Sequence, residues 1–131
     1  MKTCHIFDIY DPNEAWNSMD NEIVKDYGDY CNGHYLYTWD DGGRKLMRCR
    51  ICGGYILMQK SEFHSFMDDD SYYTDFFPVS GDEEAQMLNE KYSGFALEGQ
   101  FPGRYLMRSD GQCSWSRPFE GKDLISTYDF K

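Results

Sequence analysis

The sequence predicts an α+β fold: one small domain spanning residues 1–131, built of antiparallel strands with two helices and a hairpin tied by a metal. Three observations predict it. Short runs of aromatic and aliphatic residues are separated by Asp-Gly turn signals. Two stretches with helical apolar spacing open on capping residues. Two pairs of metal-ligating side chains flank one of the hairpins at zinc-site spacing. No linker or low-complexity stretch divides the chain, and its length suits one domain.

Residues 4–10 alternate as a first strand, with His5, Phe7 and Ile9 on one side and Ile6 and Asp8 on the other. Asp11-Pro12-Asn13-Glu14 then offers an N-cap acid, a proline at the first helical position and a glutamate placed to reach back. Trp16, Met19, Ile23 and Tyr27 follow at steps of three, four and four, so the spacing predicts a helix that Gly28 ends.

The five cysteines are Cys4, Cys31, Cys49, Cys52 and Cys113, an odd number that makes a poor disulfide framework. Cys31-Asn32-Gly33-His34 and Cys49-Arg50-Ile51-Cys52 are each ligand pairs three positions apart. Such a pair faces one ion only if the backbone turns tightly, which Gly33 and Gly53 permit. The spacer reads as a hairpin: His34 to Trp39, a turn at Asp40-Asp41-Gly42-Gly43, then Arg44 to Arg48. Tyr55 to Lys60 is a third strand leaving the second pair.

This arrangement, Cys31-x-x-His34, a hairpin, then Cys49-x-x-Cys52-Gly53, resembles the zinc-ribbon family over residues 30–60. The resemblance implies an embedded zinc ribbon with Cys31, His34, Cys49 and Cys52 as ligands of a structural zinc. Many ribbons carry a fourth cysteine where His34 stands, so His5, His64 and Cys4 remain alternatives for the fourth ligand. Four protein ligands close the coordination sphere, which suits a structural ion, whereas a catalytic zinc keeps a position open. Cys4 and Cys113 are read as buried free thiols.

Beyond the ribbon, residues 61–66 are ambiguous and Asp68-Asp69-Asp70-Ser71 is a loop or turn. Tyr72 to Phe77 is a strand closed by Pro78. Ser80-Gly81-Asp82-Glu83 caps a second helix, from about Gly81 to Tyr92, that buries Ala85, Leu88 and Tyr92. A second hairpin runs from Gly103 to Ser116 about Asp110-Gly111. Lys122 to Lys131 is either a last strand or a frayed end.

Charge bears on function. The chain carries 23 acids against 13 bases, a net charge of −10. Residues 61–100 hold ten acids and one base, whereas residues 31–60 hold two acids and five bases. Acids also keep small proteins soluble, but here they interleave with aromatics, and that combination selects a basic protein surface. The expected partner face is Asp68, Asp69, Asp70, Tyr72, Tyr73, Asp75, Asp82, Glu83 and Glu84. The sequence carries no nucleophile elbow, phosphate loop or H-E-x-x-H motif, and the expectation is a non-enzymatic binding protein, immunity- or inhibitor-like in size and charge. His64 beside Glu62 is the weakest of the readings, as a general base. The alternative function is nucleic-acid binding through Arg44, Lys45, Arg48 and Arg50 beside Tyr35, Tyr37 and Trp39. No apolar run approaches membrane-helix length and no signal-peptide pattern opens the chain, so the expected location is the cytoplasm.

Overall fold

The computed structural model describes residues 3–33, 38–65, 71–92, 97, 100–109 and 111–116. Six strands form one antiparallel sheet in chain order: β1 (Asn21–Gly33), β2 (Thr38–Cys49), β3 (Tyr55–Ser65), β4 (Ser71–Val79), β5 (Leu106–Ser109) and β6 (Gln112–Trp115). Two helices, α1 (Pro12–Asn17) and α2 (Asp82–Lys91), and a 3-10 turn at His5–Asp8 pack against it. None of these helices is long and apolar enough to cross a membrane.

The central strands are apolar on both faces, and their period-2 alternation sorts the side chains into two cores. Ile56, Met58, Phe76 and Leu106 point to one face, where Ile6 and Phe7 of the 3-10 turn and Ala15 of α1 cover them. Leu46, Leu57, Phe77 and Val79 point to the other, covered by Ala85 and Leu88 of α2 together with Leu97, Phe101 and Tyr105. Trp16 packs on Phe76 at a ring distance of 5.5 Å, and Phe77 on Tyr105 at 4.6 Å. At the β5–β6 end, Arg104 donates to the Phe7 carbonyl and Trp115 Nε1 donates to the Tyr10 carbonyl at 3.0 Å. These bonds fasten the N-terminal segment across the first face.

The second face also buries a polar row. Arg44, Gln59 and Asp75 are register partners across β2, β3 and β4, and none is more than 2% exposed. Arg44 Nε donates to Gln59 Oε1 at 2.7 Å, and its Nη1 donates to Asn89 Oδ1 at 3.1 Å and to the carbonyls of Asn89 and Tyr92. A cation so placed satisfies carbonyls left open at the C-terminal end of α2 and faces the negative end of its dipole.

Three expectations are corrected. Residues 5–8 form a 3-10 turn where a strand was expected, with the Ile9 amide bonded to the Ile6 carbonyl at 3.1 Å. The first helix begins as expected, with Asp11 accepting from the Asn13 amide at 2.9 Å, but it stops at Asn17. Asn17, Ser18, Asp20 and Asn21 are weak helix formers, and Ile23-Val24 suits a strand. On β1, Ile23 and its neighbour Val24 stand 59% and 49% exposed, so Ile23 leaves the core, whereas Tyr27 packs against the second-face cluster. Gly28, at φ 94°, serves a register shift in β1 instead of ending a helix. Finally, Asp40-Asp41-Gly42-Gly43 is no turn but lies inside β2. A β-carbon on Gly42 would fall 1.8 Å from the Lys60 carbonyl oxygen, so the glycine serves close strand approach. The connection from β1 to β2 falls at residues 34–37, outside the described residues.

Elsewhere the pattern matches. β3 and β4 lie where the Tyr55 and Tyr72 runs were read, and α2 lies where expected, but its N-cap is Gly81 without a side-chain cap, and Glu84 Oε1 in place of Glu83 accepts from the Ser80 amide at 2.7 Å. Ser109 pairs with Gln112 around Gly111, at φ 77°. Residues 122–131 lie outside the described residues.

Candidate metal centre

The turn between β2 and β3 is built by its cysteines and glycines. The Gly53 amide donates to the Cys49 carbonyl at 2.8 Å, and the Cys49 amide donates to the Gly54 carbonyl at 2.8 Å. Gly53 takes φ 78°, which L side chains rarely adopt. A β-carbon on Gly54 would lie 2.5 Å from the backbone of Cys4, so this glycine is the seat on which the N-terminal segment rests. Thr3 bridges Tyr55 in parallel just beyond it. The fold thereby brings Cys4 and His5 onto the Cys49-x-x-Cys52 turn.

Ligand atoms of Cys4, His5, Cys49 and Cys52 all lie within 4.8 Å of one another. His5 Nδ1 is 3.6 Å from Cys4 Sγ and 3.7 Å from Cys49 Sγ, and Cys52 Sγ is 3.7 Å from Cys4 Sγ. A tetrahedral ion with bonds of about 2.3 Å to sulfur and about 2.1 Å to nitrogen requires S···S edges of about 3.8 Å and S···N edges of about 3.6 Å. These three edges match that tetrahedron and the other three lie within 4.8 Å, so the group could hold a metal ion.

The electrostatics suit a cation. Backbone amides of His5 and Gly54 aim at Cys52 Sγ from 3.3 and 3.4 Å. Burial works against the Cys52 thiolate, but the His5 ring, these two amides and the Cys4 thiol outweigh it and hold the thiol down at about 6. Burial, reinforced by the neighbouring Cys49 and Cys52 sulfurs, pushes Cys4 up to about 12. Crowded sulfurs of this kind share one site best when a cation replaces their protons.

Of the expected zinc ligands, the structure brings Cys49 and Cys52 together and sets Cys31 elsewhere. Cys31 lies on β1 opposite Asp41, while Cys49 lies opposite Asn21. Eight positions of β2 separate Asp41 from Cys49, roughly 26 Å at strand rise. A single ion cannot bridge that span. His34 lies outside the described residues. His64 stands opposite Trp39, toward the same far end as Cys31. Cys4, a buried free thiol as expected, and His5, both named in the sequence only as replacements for a fourth ligand, supply two members of the cluster. Cys113 stays apart on β6 beside Arg108.

The expected partner face is also redistributed. Asp75 is 2% exposed and belongs to the buried row. Asp82 is exposed but engaged by the Tyr27 hydroxyl at 2.6 Å and by Lys25 at 3.3 Å, and Glu84 is bound to the Ser80 amide. Tyr72 and Tyr73 lie at the opposite end of β4 from Asp82 and Glu83, about 20 Å away at strand rise. Asp68, Asp69 and Asp70 lie outside the described residues. In the basic patch, Arg44 is buried, Arg50 pairs with Asp20 at 2.9 Å, and Arg48 approaches Glu22 at 3.9 Å. Tyr35 and Tyr37 lie outside the described residues. No family model, curated protein or solved structure matches the chain.

Proposed function

We propose that this chain is a non-enzymatic binding protein held in shape by a structural zinc ion at Cys4, His5, Cys49 and Cys52, and that its acidic surface engages a basic protein partner. The observation that carries the reading is the tetrahedral spacing of four protein ligands. Three sulfurs and an imidazole favour zinc among common metals, and four protein donors leave no coordination position for substrate. Zinc here ties two segments together, and its binding energy becomes folding energy.

The partner reading is supported by a depression of about 800 Å³, where Tyr72 and Tyr73 meet Asp26, Asp29 and Glu62, with Lys45 and Lys60 also in its lining. Tyr72 is 58% exposed at its rim. Aromatics provide anchoring area and the carboxylates select cationic groups.

Elemental analysis of the purified protein tests the first claim. About one zinc per chain is expected, lost in Cys49→Ser and in His5→Ala. Full zinc content in both variants rejects the site. For the partner claim, the association rate of a captured partner should fall steeply with added salt and drop in Asp29→Asn. Salt-independent association rejects it.

A further inference from the structure

A second site stands on the first face of the sheet, on the side of α1 away from the metal turn. Lys60, Thr74 and Arg108 are register partners across β3, β4 and β5. In the adjoining row Met58, Phe76 and Leu106 are partners in the same three strands. All of these side chains share one face by alternation, so a row of two cations about a hydroxyl abuts an apolar row. Lys60, Thr74, Arg108, Met58 and Phe76, with Trp16 and Met47, line a groove of about 600 Å³.

The charge in this groove is out of keeping with the chain. The protein carries −10 overall, yet the groove's lining contains Lys60 and Arg108 and no acid. Among the described residues neither cation forms an ion pair with a carboxylate. The Arg108 guanidinium lies over the Trp16 ring at 4.3 Å, a cation–π contact, and it also interacts with the Cys113 thiol across the β5–β6 pair. Two buried polar atoms in the lining have no hydrogen-bond partner: Arg108 Nε, a donor, and Asn21 Oδ1, an acceptor. Native structures rarely leave such atoms unsatisfied, and a ligand is one remedy.

We propose that this groove binds a small organic anion with a flat apolar body. Its anionic group sits over Thr74 between Lys60 and Arg108, whose strands lie about 10 Å apart, within reach of both long side chains. Its body lies on Met58 and Phe76 against Trp16. Charge complementarity sets the class: a neutral apolar molecule would leave Lys60 and Arg108 without a counter-charge, and an inorganic anion would leave the apolar floor uncovered. The site is independent of the zinc reading, since none of the four metal ligands lines it.

Calorimetric titration of the full, metal-containing chain with 2-naphthoate tests the proposal, with the uncharged 2-naphthamide as its shape control. Saturable one-to-one binding of naphthoate is expected, with naphthamide about tenfold weaker or more. Lys60→Gln and Arg108→Gln should each weaken naphthoate by a similar factor, and Arg108→Lys should recover part of the loss. Lys60 is exposed, so its variant keeps the test open if Arg108→Gln disturbs the Trp16 stack. Equal affinity for the two probes, indifference to Lys60→Gln, or no saturation in the millimolar range would each overturn the proposal.

Discussion

On one face of the sheet, Cys4, His5, Cys49 and Cys52 converge on a point; on the other, Arg44, Gln59 and Asp75 lie in a line. Both regions bury polar atoms, and both fasten a peripheral segment to the sheet. They do it with different chemistry. In the line, Arg44 reaches Gln59 and the end of α2 directly, and only Asp75 Oδ2 is left without a hydrogen-bond partner. The point consists of soft donors facing each other, which repel when ionised and gain little as thiols. A cluster of that kind could hold a cation at its centre. The comparison teaches that burial of polar groups alone says little about what they are for. The question is whether the set closes on itself.

Four measurements break or sharpen that contrast. Removing the metal with a chelator should have the largest effect. A structural zinc can contribute on the order of a small domain's whole stability, about 5–15 kcal/mol. Urea unfolding with and without chelator reads it, and hydrogen exchange should show the loss first in residues 4–8 and 49–54, with α2 affected last. Uniform loss across both faces would erase the distinction.

Next in size is Arg44→Met. It strips the α2 carbonyls and Gln59 of their donor, and a loss of about 3 kcal/mol is expected in denaturant unfolding. The variant should keep its full metal content, because the row and the cluster lie on opposite faces. Metal loss in this variant would show that the two faces are coupled.

The third measurement is the pH dependence of metal affinity. In the metal-free protein the Cys4 thiol, pushed up to about 12, is protonated at neutral pH, so uptake must displace its proton. Cys52, held down to about 6, is already a thiolate there and needs no such displacement. Below its depressed value Cys52 is protonated too. Affinity should therefore rise with pH throughout, and more steeply below about 6 than above it. A competition titration with a chelator of known proton linkage checks the change of slope, and a constant slope through that region would contradict it.

The smallest effect belongs to Tyr27→Phe, which removes the 2.6 Å bond to the exposed Asp82. Tyr27 holds the Asp82 carboxyl below its usual range, so the contribution is present above the ordinary carboxylate value and lost as pH falls. A change in Tm of about 2 °C or less is expected at neutral pH, vanishing in acid. An equal shift at acid pH would assign the effect to ring packing.

How much of this was legible in the sequence depended on whether local signals had the last word. β3, β4, α2 and the Asp110-Gly111 hairpin were readable because alternation, capping and turn chemistry agree there with the tertiary structure. The stretch from Trp16 to Tyr27 was misread because its apolar residues recur at helical steps while its polar residues resist a helix, and pairing with β2 decided the outcome. Gly42 and Gly43 looked like a turn because a glycine chosen for close strand approach has the same letter as one chosen for a bend.

The metal centre was half legible. Cys49-x-x-Cys52-Gly53 carries its own turn and can be found locally. Cys4-His5 carries no knuckle at all; it is a donor pair on a 3-10 turn that becomes a site only when Gly54 lets it settle. Cys31-x-x-His34 drew attention because it imitates a knuckle, and only the strand register reveals that Cys31 sits far down the sheet. The signal for the Cys4-His5 half of the cluster was the adjacency of a cysteine and a histidine, which spacing rules do not score.

His5 and Cys49 stand 44 positions apart, with the whole of β1 and β2 between them. That separation imposes a timetable on assembly. The Cys49–Cys52 bend can form from nearby residues alone and can capture an ion with two bonds. Closing the remaining bonds requires the long intervening loop to have paid its entropy by zipping into a hairpin. On the proposed metal reading, the Cys4-His5 pair therefore joins the cluster only once β1 and β2 have paired.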